Sequence, residues 1–184
     1  MRKAIYLLIL GVVYVSVLMV SCQTEQKGTT AASTFENSDE LVAAAKELIT
    51  EISIEDFKTM YDGDEYFVMV DVRTVAEYDA GYIPGAVSIP RGVLEFRIGD
   101  EEIWDGLGLY IPEKADPIIV NCRSGGRSAL AAKSLMELGY ENVLSLKGGW
   151  NAWHETFPEL IEKIIVEDAG FDGVSSNAAA AGGC

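Results

Sequence analysis

Histidine and cysteine, the residues that most often bind metals or form disulfides, are scarce in this 184-residue chain. It contains one histidine, His154, and three cysteines, at positions 22, 122 and 184. Cysteines this few and this widely spaced argue against a disulfide framework and predict no metal site. Positive charge is also scarce, since 14 lysines and arginines face 29 aspartates and glutamates, for a net charge of -15. This balance argues against nucleic acid as a partner.

The longest apolar run lies at the amino terminus and is typical of a targeting segment. Two basic residues, Arg2 and Lys3, precede apolar residues 4–20, and the run ends in Met-Val-Ser followed by Cys22. The pattern resembles the signal peptide and lipobox of bacterial lipoproteins. The resemblance implies a lipid on Cys22 and a cell-envelope protein held at a bacterial membrane on its extracytoplasmic side. The alternative is an uncleaved anchor, because about 17 apolar residues approach the lower limit for a membrane span.

Composition divides the chain into four parts. We predict a signal peptide over residues 1–21, a small, polar and flexible tether over 22–36, a folded domain over 37–166, and a flexible tail over 167–184. The tail ends in Cys184, for which two interpretations stay open. It is either functionally silent or a mobile thiol that reaches Cys122.

Short apolar runs alternate with helical patterns along residues 37–166. We predict strands at Ile52 and over residues 66–72, 87–90, 117–120 and 142–146. Ser38 is predicted to cap a helix that runs to Thr50. Ser53 is predicted to cap a second helix that Gly63 ends, and Thr74 is predicted to cap a third. This alternation predicts an α/β sandwich with a parallel sheet.

The stretch from Asn121 to Ser128 carries the strongest chemical pattern. It follows the predicted strand 117–120 and precedes residues 129–138, which are typical of an amphipathic helix. Cys122 is therefore predicted at the carboxyl end of a strand, on a tight loop that opens a helix. Unpaired N–H groups in such a loop bind anions and favour a thiolate. The alternative is a buried structural cysteine beside a glycine turn.

Residues 91–115 form an insert between two predicted strands. We predict a helix over residues 92–98 and an ordered loop over 99–110. Inserts on α/β domains often lie near the site, so Trp104 and Tyr110 are candidate rim residues, and Arg91 and Arg97 are candidates for attracting an anion. The alternative is that the aromatic side chains cover the core.

Four motifs, in this order, resemble the signatures of the rhodanese-like sulfurtransferases. They are Asp71-Val72-Arg73 with Glu77-Tyr78, Gly81-Tyr82-Ile83-Pro84-Gly85-Ala86, Cys122-Arg123-Ser124-Gly125-Gly126-Arg127, and Gly148-Gly149-Trp150 with Trp153. Tyr82 stands where the family usually has histidine. The resemblance covers residues 37–166 and implies a rhodanese-like three-layer sandwich, with a central parallel sheet flanked by helices.

The resemblance also implies a reaction and a set of roles. Cys122 would take a sulfane sulfur from a small anion such as thiosulfate and pass it, as a persulfide, to a thiol or protein-cysteine acceptor. No cofactor is implied. Arg127 would orient the donor, and the loop N–H groups would stabilise its charge. The implied donor-binding residues are Arg123, Ser124, Gly125, Gly126, Arg127 and Ser128, and the implied structural support is Asp71, Arg73 and Glu77.

Two other function classes stay open at this point. Related thiolate phosphatases and arsenate reductase-like enzymes need a wider cup, and the phosphatases use a Cys-x5-Arg loop, one residue longer than the Cys-x4-Arg loop from Cys122 to Arg127. The shorter loop therefore favours sulfur transfer. The other class is a non-catalytic rhodanese module that binds a partner at the membrane.

Overall fold

The structure, a computed structural model, describes residues 34–164. The predicted signal peptide, nearly all of the tether, Cys22 and the tail with Cys184 lie outside the described residues. Within residues 34–164, no helix has the length and apolar character that a membrane span needs. In the same range, no three His, Cys, Asp or Glu side chains are placed to share a metal ion.

Five parallel strands form a single sheet in the order β1-β5-β4-β2-β3. This confirms the parallel α/β sandwich predicted from the alternation of strands and helices. The order places β4 at the centre, between β5 and β2. The strands are β1 (Thr50–Ile52), β2 (Val68–Asp71), β3 (Ala86–Ser88), β4 (Pro117–Asn121) and β5 (Asn142–Leu146).

Helices cover both faces of the sheet. Because side chains alternate along a strand, β4 sends Ile118 and Val120 to one core cluster and Ile119 to the other. The first cluster includes Leu135, and the second includes Trp153. The helices are α1 (Ser38–Lys46), α2 (Ile54–Asp62), α3 (Val75–Asp79), α4 (Leu94–Arg97), α5 (Glu101–Gly106), α6 (Gly126–Glu137) and α7 (Gly149–Thr156), with a 3-10 turn over Arg91–Val93.

Polar side chains cap the starts of four helices, α1, α2, α3 and α5. Ser53 caps α2 and Thr74 caps α3, as predicted. The prediction that Ser38 caps α1 is wrong, because Asn37 Oδ1 accepts the N–H groups of Asp39 and Glu40, at 3.0 Å each. The helix also ends at Lys46, before the predicted residue, since the chain next enters β1 and pairs with β5.

The insert departs most from the sequence prediction. Residues 99–110 contain the helix α5 and are not a continuous loop. Trp104 is 1% exposed and its Nε1 donates to the carbonyl of Ile98 at 2.9 Å, so its proposed place on a site rim is wrong. The alternative, that this aromatic ring covers the core, is confirmed.

The two arginines of the insert already have partners. Arg91 donates to Glu95 at 2.7 Å and to Ser134 at 2.9 Å. Arg97 lies 3.3 Å from Asp100. Each guanidinium is thus paired with a carboxylate of its own segment, which weakens the expectation that these side chains attract an anion to the site.

We predict that Trp104→Ala lowers the free energy of unfolding by about 3–5 kcal/mol, because it leaves a large cavity and removes a buried hydrogen bond. Phe96→Ala is the matched control, since Phe96 is 81% exposed and its loss should change stability by about 0.5 kcal/mol or less. Urea unfolding followed by far-ultraviolet circular dichroism measures both. Equal, small effects would show that Trp104 is not part of the core.

Candidate active site

Cys122 follows directly after β4, at the carboxyl edge of the sheet. Its side chain is 1% exposed, and its Sγ accepts the N–H of Gly125 at 3.2 Å. Gly125 has a φ of 97°, a left-handed conformation that glycine adopts without steric cost. This turn brings the loop back over the sulfur before α6 begins at Gly126.

Several backbone N–H groups of the Cys122 loop have no internal acceptor. The first hydrogen bond of α6 runs from the N–H of Ala129 to the carbonyl of Gly125. Within residues 34–164, the N–H groups of Arg123 and Ser124 and of residues 126–128 have no hydrogen-bond acceptor. Such N–H groups at a helix start carry partial positive charge and form a site that suits an anion.

The loop carbonyls are held away from these N–H groups by α7. Trp150 N–H donates to the carbonyl of Cys122 at 2.7 Å, and Asn151 N–H donates to the carbonyl of Arg123 at 3.0 Å. The binding of the loop carbonyls by the start of α7 was not predicted from the sequence. The glycine pair Gly148-Gly149 was the available signal, since two adjacent glycines often mark a close backbone approach.

Gly149 makes the contact between α7 and the loop possible. Its φ is 59°, and a Cβ at this position would lie 2.3 Å from the carbonyl oxygen of Cys122. A side chain would therefore push the start of α7 off the loop.

Arg127 and Glu77 form a two-bond ion pair beside the loop. Both bonds between the guanidinium and the carboxylate measure 2.8 Å. The hydrogen bond from Arg127 is the largest cause that lowers the pKa of Glu77 to about 2, and bonds from Thr74 add to it. The hydrogen bond to Glu77 is likewise the largest cause that raises the pKa of Arg127.

Asp71 and Arg73 form a second, buried pair under the loop. Their closest atoms lie 2.7 Å apart, and both side chains are at most 2% exposed. Asn121 donates to Asp71 at 3.0 Å, while Arg73 donates to the carbonyl of Gly81 at 2.7 Å. The Arg73 guanidinium also lies 4.6 Å from the ring centroid of Trp150. The Asp71–Arg73 pair therefore links β2 and β4 to α7.

The structure brings the predicted charged residues together in a different combination. Glu77 does not join Asp71 and Arg73, because Thr74 holds its carboxylate at the start of α3, where it meets Arg127 on α6. Of the predicted donor-binding residues, Arg123 and Ser124 are exposed, and Gly126 and Arg127 are partly buried.

The side chain of Ser128 is turned into the protein. Ser128 is fully buried, donates to the carbonyl of Gly125 at 3.2 Å and accepts from Ser145 at 2.9 Å. Its hydroxyl therefore supports the loop, and only its backbone N–H remains for an anion.

Comparison with known proteins agrees with this architecture. The rhodanese-like domain profile matches residues 53–156, which is more than half of the chain. The chain belongs to the rhodanese-like domain family. The match includes β2, the Cys122 loop and the Gly148-Gly149 pair.

Relatives of this rhodanese-like chain carry sulfurtransferase names. A sulfurtransferase of Allochromatium vinosum is 35% identical over 106 residues, which is 58% of this chain and 89% of that protein. A thiosulfate sulfurtransferase of Pseudoalteromonas translucida is 31% identical over 99 residues, which is 54% of this chain and 84% of that protein. A human single-domain sulfurtransferase superposes with a TM-score of 0.52 at 26% identity, covering 57% of this chain and 95% of that chain.

Tyr82 occupies the position where the rhodanese-like family usually has histidine. Its ring stacks on that of Tyr78, with centroids 4.1 Å apart, and its backbone pairs with that of Glu162. Tyr82 therefore joins the carboxyl-terminal segment to the start of the Gly81–Ala86 motif.

We predict that Gly149→Ala lowers the free energy of unfolding by about 2–4 kcal/mol, because the new Cβ overlaps the Cys122 carbonyl and the backbone conformation disfavours alanine. Gly92→Ala is the control, since a Cβ at Gly92 meets no atom within 4 Å. Thermal and urea unfolding measure the difference. If the two variants are equally stable, the contact between α7 and the loop does not depend on glycine.

We predict that the stability advantage of the wild type over Glu77→Gln depends on pH. The folded pKa of Glu77 lies near 2, below its usual value of 4.5, so the pair stabilises the fold fully above pH 4.5 and loses this contribution as pH falls through 2. The advantage at neutral pH should be about 1 kcal/mol, since both side chains are partly solvated. Urea unfolding across this pH range measures it, and a pH-independent difference would contradict the prediction.

Proposed function

We propose that this chain is a sulfurtransferase that carries a sulfane sulfur on Cys122. The observation that carries the proposal is the hydrogen bond from Gly125 N–H to Cys122 Sγ at 3.2 Å, in a loop whose other N–H groups have no acceptor among residues 34–164. The family membership and the sulfurtransferase relatives support the same reaction. Thiosulfate is the donor we expect, since a relative is named for it.

In the first half-reaction, the thiolate of Cys122 attacks the outer sulfur of thiosulfate. A bond forms between Cys122 Sγ and that sulfur, the S–S bond of thiosulfate breaks, and sulfite leaves with the bonding electron pair. The resulting persulfide anion remains on Cys122. The N–H groups from Arg123 to Ser128 stabilise the donor oxygens and then the persulfide charge, as oxyanion-hole donors do in other covalent mechanisms.

In the second half-reaction, a nucleophilic acceptor attacks the terminal sulfur of the persulfide. The new bond forms at that sulfur, the persulfide S–S bond breaks, and Cys122 returns to the thiolate. Cyanide serves as the acceptor in an assay, and a thiol or protein cysteine serves in the cell. Electrons balance within each half-reaction, so no external oxidant or reductant is needed.

Arg127 contributes to donor orientation less directly than the sequence alone implies. Both of its terminal nitrogens are bound to Glu77. We propose that Glu77 holds the Arg127 guanidinium and offsets its charge, so that the backbone N–H groups make most of the contacts with the donor. Asp71 and Arg73 support the loop from below and do not contact the donor.

We further propose that the domain acts at a membrane, attached through a lipid on Cys22. The support is the lipobox-like sequence before Cys22, and the polar residues 23–36 would hold the domain away from the bilayer. This would place sulfur transfer on the extracytoplasmic side of a bacterial membrane.

We predict that incubation of the purified chain with thiosulfate adds the mass of one sulfur atom, and that cyanide removes it. Cys122→Ser should show no gain, because it lacks the nucleophile. Cys22→Ser and Cys184→Ser are the matched controls and should gain sulfur as the wild type does. Intact-mass spectrometry measures all four proteins.

The same proteins separate the remaining function classes. No sulfur gain from thiosulfate or another sulfane donor, with Cys122 in the reduced form, would rule out the proposed reaction. Hydrolysis of p-nitrophenyl phosphate that depends on Cys122 would then indicate a thiolate phosphatase. Partner capture that Cys122→Ser leaves unchanged would instead indicate a non-catalytic binding module.

A further inference from the structure

An apolar cavity lies at the amino-terminal edge of the sheet. It has a volume of about 240 Å³. It is lined by the first residues of β2 and by the segment that follows α5. Its lining includes Phe67, Val87, Trp104, Leu109 and Tyr110.

This cavity is separate from the Cys122 loop. Val68, in its lining, pairs with Ile118, which lies four residues before Cys122. Val87, also in the lining, pairs with Val70, whose partner on β4 is Val120, two residues before Cys122. At about 3.3 Å per residue, these lining positions lie roughly 7–13 Å before Cys122 along the strand direction. The cavity is at the amino end of the sheet, and the thiol is at the carboxyl end.

Large apolar side chains around the cavity are exposed to solvent. Tyr110 is 91% exposed and Tyr66 is 60% exposed. Leu107, Leu109 and Ile111, in the same insert, are also exposed. An exposed apolar patch of this kind is typical of an interaction site.

A wider groove with an acidic rim continues from the cavity. The two share Tyr66 and Tyr110, and the groove has a volume of about 630 Å³. Its four carboxylates belong to Glu101, Asp105, Glu113 and Asp116.

These carboxylates are available to an outside cation. Among residues 34–164, none of the four carboxylates forms a salt bridge with a lysine, arginine or histidine. Lys114 is adjacent in sequence, but its Nζ lies 3.6 Å from the ring centroid of Tyr140. The groove therefore presents uncompensated negative charge next to an apolar cavity.

We propose that this surface docks a basic segment of a partner protein, with one large apolar side chain in the cavity and lysines or arginines along the acidic groove. The cavity volume suits a single side chain and is below the usual range of about 300–1,000 Å³ for small-molecule pockets. A second copy of this chain is a poor occupant, because its net charge of -15 would repel the acidic rim.

A labelled peptide tests the proposal on the full chain. The probe is an acetylated and amidated nonapeptide with one central phenylalanine flanked by lysines, and fluorescence anisotropy measures its binding. The matched peptides replace phenylalanine by serine, or the lysines by glutamates. We expect the serine peptide to bind at least about tenfold more weakly and the glutamate peptide not to bind.

Two pairs of variants locate the binding surface. Tyr110→Ser should raise the Kd about tenfold, whereas Phe96→Ser, at another exposed aromatic position, should leave it unchanged. Glu113→Lys should weaken binding and reduce its salt dependence, whereas Glu159→Lys, at another exposed carboxylate, should change neither as much. Far-ultraviolet circular dichroism confirms that each variant is folded.

Several results would overturn the proposal. A specific basic-segment site is excluded if the phenylalanine peptide does not bind. It is also excluded if the phenylalanine and serine peptides bind equally and all four variants bind alike. Displacement of the peptide by an uncharged detergent, together with salt-independent binding, would indicate a neutral amphiphile as the occupant. Sedimentation showing a dimer that Tyr110→Ser dissociates would indicate a second copy.

Discussion

The contact between α7 and the Cys122 loop is the constraint on which the site depends. A loop offers inward N–H groups only if its carbonyls bond elsewhere, and here Trp150 and Asn151 bind the carbonyls of Cys122 and Arg123. The contact requires Gly149, because any Cβ would overlap the Cys122 carbonyl. The geometry of the loop after β4 therefore depends on a helix that begins 27 residues after the thiol, from position 122 to position 149.

The charged side chains near this loop mainly bind one another and hold neighbouring elements in place. The Glu77–Arg127 pair joins α3 to α6, and the buried Asp71–Arg73 pair joins the end of β2 to α7 through Trp150. A buried pair is costly to desolvate unless its remaining hydrogen bonds are satisfied. Asn121 and the Gly81 carbonyl satisfy these bonds, so the pair orients the strand ends beneath the thiol. In the proposed reaction, the positive potential at Cys122 comes largely from the backbone N–H groups.

The sheet separates two surfaces with opposite chemistry. The carboxyl edge carries N–H groups and suits an anionic donor, as expected for the crevice of an open α/β sheet. The amino edge carries the apolar cavity and four carboxylates and suits a cationic partner. A partner docked at the amino edge would leave the Cys122 loop open to donor and acceptor. The two proposed activities would therefore not compete for one surface.

The α/β class, the boundaries of β5 and the position of the Cys122 loop could be predicted from sequence, because local periodicity and loop composition depend on neighbours along the chain. The folded structure was needed to show that Glu77 pairs with Arg127, that Trp104 is core and that Gly149 shapes the thiol loop. Each of these contacts depends on how separate elements pack. The charge or size of a side chain restricts which residues it can contact. Which of these residues it does contact depends on where the fold places them.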